Sequence, residues 1–180
     1  MKRGLARWRV RAGYPAGLLY FWLARPGAAW LAAGILLGLA GVVIRALAAG
    51  YLRKNEGLAT AGPYAWTRNP LYFGSAWIAA GLSLAARSWP AAVVVLAYFL
   101  AFYPATMRNE EAGLAAQYGA PFRDYAARVP LFWPRPPRPG PPQAAGRYSW
   151  ALYRRNREYN AALGMAIVIL LLAGKMIFFG

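Results

Sequence analysis

The stretch GAAWLAAGILLGLAGVVIRALAAG at residues 27–50 is apolar apart from a single charge, Arg45. As a helix rising about 1.5 Å per residue, it is longer than the roughly 30 Å hydrocarbon core of a bilayer. A second stretch of the same kind, AALGMAIVILLLAGKMIFF, occupies residues 161–179. These two segments predict an all-α integral membrane protein built as a helical bundle.

Three further segments complete the predicted bundle. Residues 70–87 and 89–107 are apolar and just long enough to cross, with a tight turn at residues 87–90. Residues 14–24 alone cover about half a crossing. If they do cross, in a first helix that extends back to about Trp8, most of the 21 basic residues lie on one side of the membrane. The positive-inside rule therefore predicts five crossings and a cytoplasmic N-terminus.

The composition narrows the possible chemistry. At 180 residues the chain has room for one domain, and 59% hydrophobic against 14% charged residues is typical of a membrane protein. The absence of cysteine and histidine excludes disulfides, zinc sites of the usual kind, thiol nucleophiles and histidine bases. The net charge is +16, and many of the basic residues flank apolar segments. We therefore expect these residues to contact anionic lipid head groups, and we expect neither nucleic acid nor metal as a partner.

The loop before the third span reads GPYAWTRNPLY at residues 62–72. Asn69 followed by Pro70 is typical of a helix start, where the asparagine side chain accepts a hydrogen bond from an unpaired backbone N–H. An interfacial belt of aromatic residues explains much of the remainder. Neither interpretation requires Arg68 or the Gly-Pro turn that precedes it, but taken alone the stretch still favours a structural helix start over a ligand site.

A second polar cluster, RNEE at residues 108–111, follows the fourth span. Arg108 and Glu111 are three residues apart and can pair on one helix face. Because adjacent helical residues point about 100° apart, the other acid is left to face a different partner. The hairpin formed by the third and fourth spans should return this cluster to Arg68 and Asn69.

The polar segments predict the organisation of the cytoplasmic side. In residues 108–160 we expect two short amphipathic helices broken near residues 119–121, with Asp124 and Arg128 as a structural pair on the second. The prolines that follow disfavour a helix and favour an extended strap, which we assign to residues 135–160.

Together the two clusters resemble the motifs of the isoprenylcysteine carboxyl methyltransferase family, which includes phospholipid methyltransferase-like members. Two separated motifs in the right order are more specific than either one alone. The resemblance covers a core at residues 51–134 and leaves the strap and the segment at 161–179 as additions. The matching residues are Gly62-Pro63-Tyr64, Arg68-Asn69-Pro70-Leu71-Tyr72-Phe73-Gly74, Arg108, Glu110-Glu111, Tyr118-Gly119, Phe122, Tyr125 and Arg128-Val129-Pro130.

The resemblance implies an integral membrane enzyme that transfers the methyl group of S-adenosylmethionine to a lipophilic acceptor entering from the bilayer. It implies a cofactor pocket that faces the cytoplasm. It also implies that Arg108 and Glu111 lie nearest the acceptor, as the catalytic residues. The residues implied to bind the cofactor are Tyr64, Arg68, Asn69, Pro70, Tyr72, Glu110, Tyr125 and Arg128.

One motif position departs from the family, and the acceptor stays open. Asn69 replaces the family histidine, so a histidine-based proton transfer is impossible here. A carboxylate acceptor needs no base, so isoprenylcysteine-like O-methylation is favoured over N-methylation of a phospholipid or another lipid amine. Two alternatives from other classes are a non-catalytic basic protein that binds anionic lipid and a reductase that binds a nicotinamide cofactor.

Overall fold

The computed structural model describes the backbone of residues 2–53, 56–137 and 146–179, with side chains from residue 8 onward. Within these ranges the chain forms seven α-helices, one 3-10 turn and no strand, which confirms the predicted all-α class. The elements are α1 (Lys2–Leu23), α2 (Ala28–Tyr51), the 3-10 turn Gly62–Ala65, α3 (Pro70–Ala85), α4 (Trp89–Tyr118), α5 (Ala120–Arg128), α6 (Trp150–Arg155) and α7 (Tyr159–Phe179).

Three of the described helices, α2, α4 and α7, are long and apolar enough to cross a membrane. Helix α3 is also apolar but has 16 residues. At about 1.5 Å per residue its length is about 24 Å, which is shorter than the roughly 30 Å thickness of a hydrocarbon core. The chain is therefore a helical membrane protein. The five crossings and the cytoplasmic N-terminus stay predictions.

Close contact between α2 and α3 forms the centre of the bundle. Gly34 and Gly41 of α2 face Gly81 and Gly74 of α3, respectively. A Cβ added at Gly34 would lie 2.5 Å from the Gly81 carbonyl oxygen, and one added at Gly74 would lie 2.7 Å from the Gly41 carbonyl oxygen. Small residues let helix backbones approach this closely, and in a membrane such packing drives helix association.

The other long helices pack around this pair. Helix α4 contacts both α1 and α3, and α7 contacts both α2 and α3. Tyr98 of α4 donates a 3.0 Å hydrogen bond to the carbonyl of Arg9 in α1. Lys175 of α7 donates to the carbonyls of Phe21 and Trp22 near the end of α1. These bonds tie α1 to the rest of the bundle through its backbone.

The structure differs from the sequence-based prediction at three places. Helix α4 continues to Tyr118, so the first predicted amphipathic helix is the end of this helix; the chain first breaks at Gly119, whose φ is 57°. The predicted strap at residues 135–160 contains α6, which the Ser149 side chain caps. Helix α1 also begins well before Trp8.

Helix α5 agrees with the predicted amphipathic pattern. Its apolar face forms a buried cluster with the end of α4, which anchors the short helix against the bundle. The cluster is formed by Phe122, Tyr125 and Val129, with Leu114 and Tyr118 packed against it. Residues 130–137 then run without a helix, as the prolines predict, and residues 138–145 of the predicted strap lie outside the described ranges.

Candidate active site

The loop before α3 is fixed by the extended segment at residues 130–135. The backbone N–H of Arg68 donates to the Pro130 carbonyl at 2.9 Å. Thr67 is buried and donates through its hydroxyl to the Phe132 carbonyl at 2.9 Å. The motif loop therefore has a defined position that depends on chain far along the sequence.

Asn69 takes part in the same contacts and corrects one prediction. Within the described residues its side chain makes no capping hydrogen bond to α3; instead Nδ2 donates to the Leu131 carbonyl at 3.1 Å. Pro70 does occupy the first turn of α3, as predicted, where its missing N–H has no cost. Buried Asn69 thus joins two segments of the site instead of capping a helix.

The hairpin of α3 and α4 brings the two polar clusters together. Arg68 Nη1 lies 3.0 Å from Glu111 Oε1, and the Tyr72 hydroxyl donates to Glu110 Oε1 at 2.6 Å. Each of the adjacent acids thus has its own partner across the hairpin. The sequence predicted Arg108 as the ionic partner of Glu111. In the structure Arg108 is exposed, and the partner of Glu111 is Arg68.

The Arg68–Glu111 pair is partly buried and incompletely hydrogen-bonded. The two side chains are 16% and 21% exposed. Among the described residues, Arg68 Nε and Glu111 Oε1 are buried atoms with no hydrogen-bond partner of good geometry, although Oε1 is within ion-pair distance of Nη1. An unsatisfied buried polar group costs about 1–3 kcal/mol. A guanidinium beside a carboxylate suits a ligand that has both an anionic and a cationic group.

These side chains line a polar cavity of about 900 Å³, a size typical of small-molecule sites. The sequence-predicted residues in its wall are Tyr64, Arg68, Asn69, Pro70, Tyr72, Glu110, Glu111 and Tyr125. Arg108 and Arg128 lie outside this wall. Arg128 Nε donates to the Asp124 carbonyl oxygen at 3.1 Å, so the predicted Asp124–Arg128 contact forms through the backbone.

Two tyrosines hold the 3-10 turn against α5. The Tyr125 hydroxyl donates to the Tyr64 carbonyl oxygen at 2.7 Å, and both side chains are buried. Burial raises the pKa of both hydroxyls far above their usual value. At neutral pH both tyrosines are therefore uncharged hydrogen-bond donors.

A second, mainly apolar cleft of about 620 Å³ adjoins the polar cavity. It lies between α1, α3, α4 and α7, and because its wall residue Gly164 is exposed, the cleft opens on the outside of the bundle. Four residues line both spaces, and we call them the junction. They are Arg45, Ser75, Tyr98 and Tyr103.

An ion pair joins Arg45 of the junction to a residue of the polar cavity. Arg45 Nη2 donates to Glu158 Oε2 at 2.6 Å, and Nη1 donates to the Leu71 carbonyl at 3.0 Å and to the Ser75 hydroxyl. Glu158 lies in the turn between α6 and α7 and also lines the polar cavity. Sequence reasoning assigned neither charge to the site. The usable signals were a charge inside an apolar span and an acid, one of only five, just before the last span.

The polar cavity thus adjoins an apolar cleft that opens on the outside of a helical membrane bundle, and comparison with known families identifies proteins of this kind. The family model for phospholipid methyltransferases matches residues 29–121. The chain belongs to this family of membrane methyltransferases, which confirms the resemblance inferred from the motifs.

Two curated proteins are similar to the chain. The cobalt-zinc-cadmium resistance protein CzcN of Cupriavidus metallidurans is 31% identical in an alignment of 174 positions that covers 90% of this chain and 78% of that protein. The nickel-cobalt-cadmium resistance protein NccN of Alcaligenes xylosoxydans xylosoxydans is 35% identical in an alignment of 113 positions that covers 59% of this chain and 53% of that protein. No solved structure matches the chain.

Proposed function

We propose that this protein is an S-adenosylmethionine-dependent methyltransferase that methylates a lipophilic acceptor at the membrane interface. The observation that carries the proposal is the partly buried Arg68–Glu111 pair, which lines a polar cavity next to an apolar cleft. A polar space and a membrane-facing space that meet at a junction suit a reaction between a polar cofactor and a lipid.

The donor set of the polar cavity fits the amino-acid part of this cofactor, which has a carboxylate and an ammonium group. Arg68 can bind the carboxylate through charge-assisted hydrogen bonds, and Glu110 and Glu111 can accept from the ammonium. S-Adenosylmethionine supplies an electrophilic methyl group on a sulfonium sulfur. Tyr64 and Tyr125 would fix the turn that closes one side of the cavity.

The chain itself would mainly orient the acceptor and exclude water. The aliphatic and small residues of the apolar cleft suit an extended hydrocarbon chain, and the junction would hold its polar end. A prenylcysteine-like carboxylate is the acceptor favoured by sequence, with a lipid amine as the alternative. The names of the two relatives refer to metal resistance, but this chain has no cysteine or histidine to bind such ions, and we propose lipid methylation as its activity.

The cofactor assignment is tested by calorimetric titration of the detergent-purified protein with S-adenosylhomocysteine and with NADPH. We expect saturable binding of the first alone. Arg68→Ala should weaken it about 10- to 100-fold, as expected for about 1.5–3 kcal/mol from a hydrogen bond to a charged group. Arg123→Ala, on the exposed surface of α5, is the matched control. Binding of NADPH, or no binding of either compound to folded protein, would contradict the proposal.

We also propose that the polar cavity faces the cytoplasm, because most basic residues flank this end of the bundle. The chain has no native cysteine, so single cysteines can be introduced directly. In intact cells, a membrane-impermeant maleimide should label Arg87→Cys, at the turn between α3 and α4, and should leave Arg123→Cys unlabelled. The reverse labelling pattern would show that the orientation is inverted.

A further inference from the structure

The family match ends at residue 121, and the segment that follows it contributes to both spaces. Helix α7 supplies one wall of the apolar cleft, through Ala161, Gly164, Met165 and Val168. The turn before it supplies Glu158 to the polar cavity. The C-terminal segment thus contacts both spaces at the point where they meet.

Glu158 is held in place by contacts between α6 and the end of α2. Asn156 Nδ2 donates to the carbonyls of Ala49 and Leu52, each at 2.9 Å. The backbone N–H of Ser149 donates to the Gly50 carbonyl at 2.9 Å. These bonds satisfy carbonyls that a helix end leaves free, and they fix the turn that follows α6 relative to α2.

The charge of Arg45 is balanced by this arrangement. The two side chains of the Arg45–Glu158 pair are 19% and 10% exposed, and Nη1 is held by Leu71 and Ser75. Among the described residues Glu158 accepts only from Arg45, through Oε2, so Oε1 is available in the polar cavity. Beside the junction, Glu158 therefore has a carboxylate oxygen without a protein donor, whereas both terminal nitrogens of Arg45 are engaged and its Nε, which has no partner among the described residues, is buried.

We propose that Glu158 selects the acceptor by the charge of its polar end. This inference rests on the proposed methyltransferase function and reverses the sequence-based preference for a carboxylate acceptor. An uncharged or cationic end can donate a hydrogen bond to Glu158 Oε1. A carboxylate would meet that oxygen and could reach Arg45 only by displacing Glu158, which would leave a partly buried carboxylate unpaired.

The test compares three probes that share one chain and differ in the polar end: tritiated palmitic acid, hexadecylamine and hexadecanol. Binding to detergent-purified protein at pH 8 is measured by scintillation proximity. We expect the wild type to bind the amine and the alcohol about tenfold or more tightly than palmitate. Glu158→Gln should tighten palmitate binding about tenfold and weaken amine binding. Glu158→Asp should keep the wild-type order.

Glu56→Gln is the matched control, because Glu56 pairs with Arg155 on the exposed surface of α6 and lines neither space. The inference would be overturned if the wild type bound palmitate more tightly than the amine and the alcohol, or if Glu158→Gln changed the binding of all three probes equally. The Arg45–Glu158 pair would then only connect α2 to the turn before α7. S-Adenosylhomocysteine is titrated into the same preparations. Its normal binding, without charge selectivity for the probes, would reject this inference alone; its failure to bind would reject the proposed function.

Discussion

The polar cavity and the apolar cleft are built in opposite ways. The polar cavity depends on loops and on side-chain pairs across the hairpin, such as Arg68 with Glu111. The apolar cleft depends on how four helices pack, and its wall consists mostly of small and aliphatic residues. A motif can therefore identify the first space, whereas only the assembled bundle defines the second. They can be separated experimentally everywhere except at the junction.

The largest effect should come from a change that damages both regions. Gly34→Leu would drive a side chain into the Gly81 carbonyl and Ala85, where an added Cβ already lies within 2.6 Å of both. Overpacking of this severity should cost at least about 3 kcal/mol. We expect loss of the thermal unfolding transition in detergent. Gly174→Leu, at a position where an added Cβ contacts nothing, is the control, and equal melting of both variants would exclude tight α2–α3 packing.

A change confined to the cleft should separate the two regions. An added Cβ at Gly164 has nothing within 4 Å, so Gly164→Leu can fold while its side chain enters the cleft. We expect about tenfold weaker binding of hexadecanol and unchanged titration by S-adenosylhomocysteine. Gly174→Leu is again the control, since Gly174 lies on the same helix outside the cleft wall. Weaker cofactor binding in Gly164→Leu would show that the two regions are not independent.

Loss of a single exposed hydrogen bond in the polar cavity should have a smaller effect. Tyr72→Phe removes the 2.6 Å hydrogen bond to Glu110, which is exposed and can be solvated instead. We expect S-adenosylhomocysteine to bind about two- to fivefold more weakly, as for a loss of about 0.5–1 kcal/mol, with no change for hexadecanol. Tyr14→Phe, on the exposed face of α1, provides the baseline. A change in hexadecanol binding alone would place Tyr72 with the cleft.

The smallest effect is expected at the position where the motif departs from its family. Asn69→His keeps an N–H donor for the Leu131 carbonyl, and its affinity for S-adenosylhomocysteine should stay within about twofold of wild type. Asn69→Leu removes the donor and should bind more weakly. If the histidine variant lost binding while the leucine variant kept it, the contact with Leu131 would not explain this residue.

Much of the fold could be predicted, because apolar length alone identifies α2 and α7. Helix α6 could not, since six residues beside a proline-rich segment give little signal beyond the capping Ser149. Helix α1 also starts earlier than its hydrophobicity predicts, because arginine forms helices well without being apolar.

Only those contacts of the site that follow from spacing along a helix or from a hairpin could be predicted from the sequence. The hairpin correctly suggested that Arg68 would lie near Glu110 and Glu111. Spacing along one helix then favoured Arg108 as the partner of Glu111, because that rule cannot weigh a partner on another element. The pairing of Glu158 with Arg45 could not be predicted for the same reason, since the two residues are 113 positions apart in the sequence.

That separation has a consequence for biosynthesis. All of the family motif residues are synthesised before the turn that contains Glu158, so a nascent chain can hold the complete motif while Arg45 still has no counter-ion. Arg45 gains this counter-ion only once the turn between α6 and α7 lies against α2. A chain that stops before Glu158 would therefore contain the whole family motif and still leave Arg45 without its counter-ion inside the bundle.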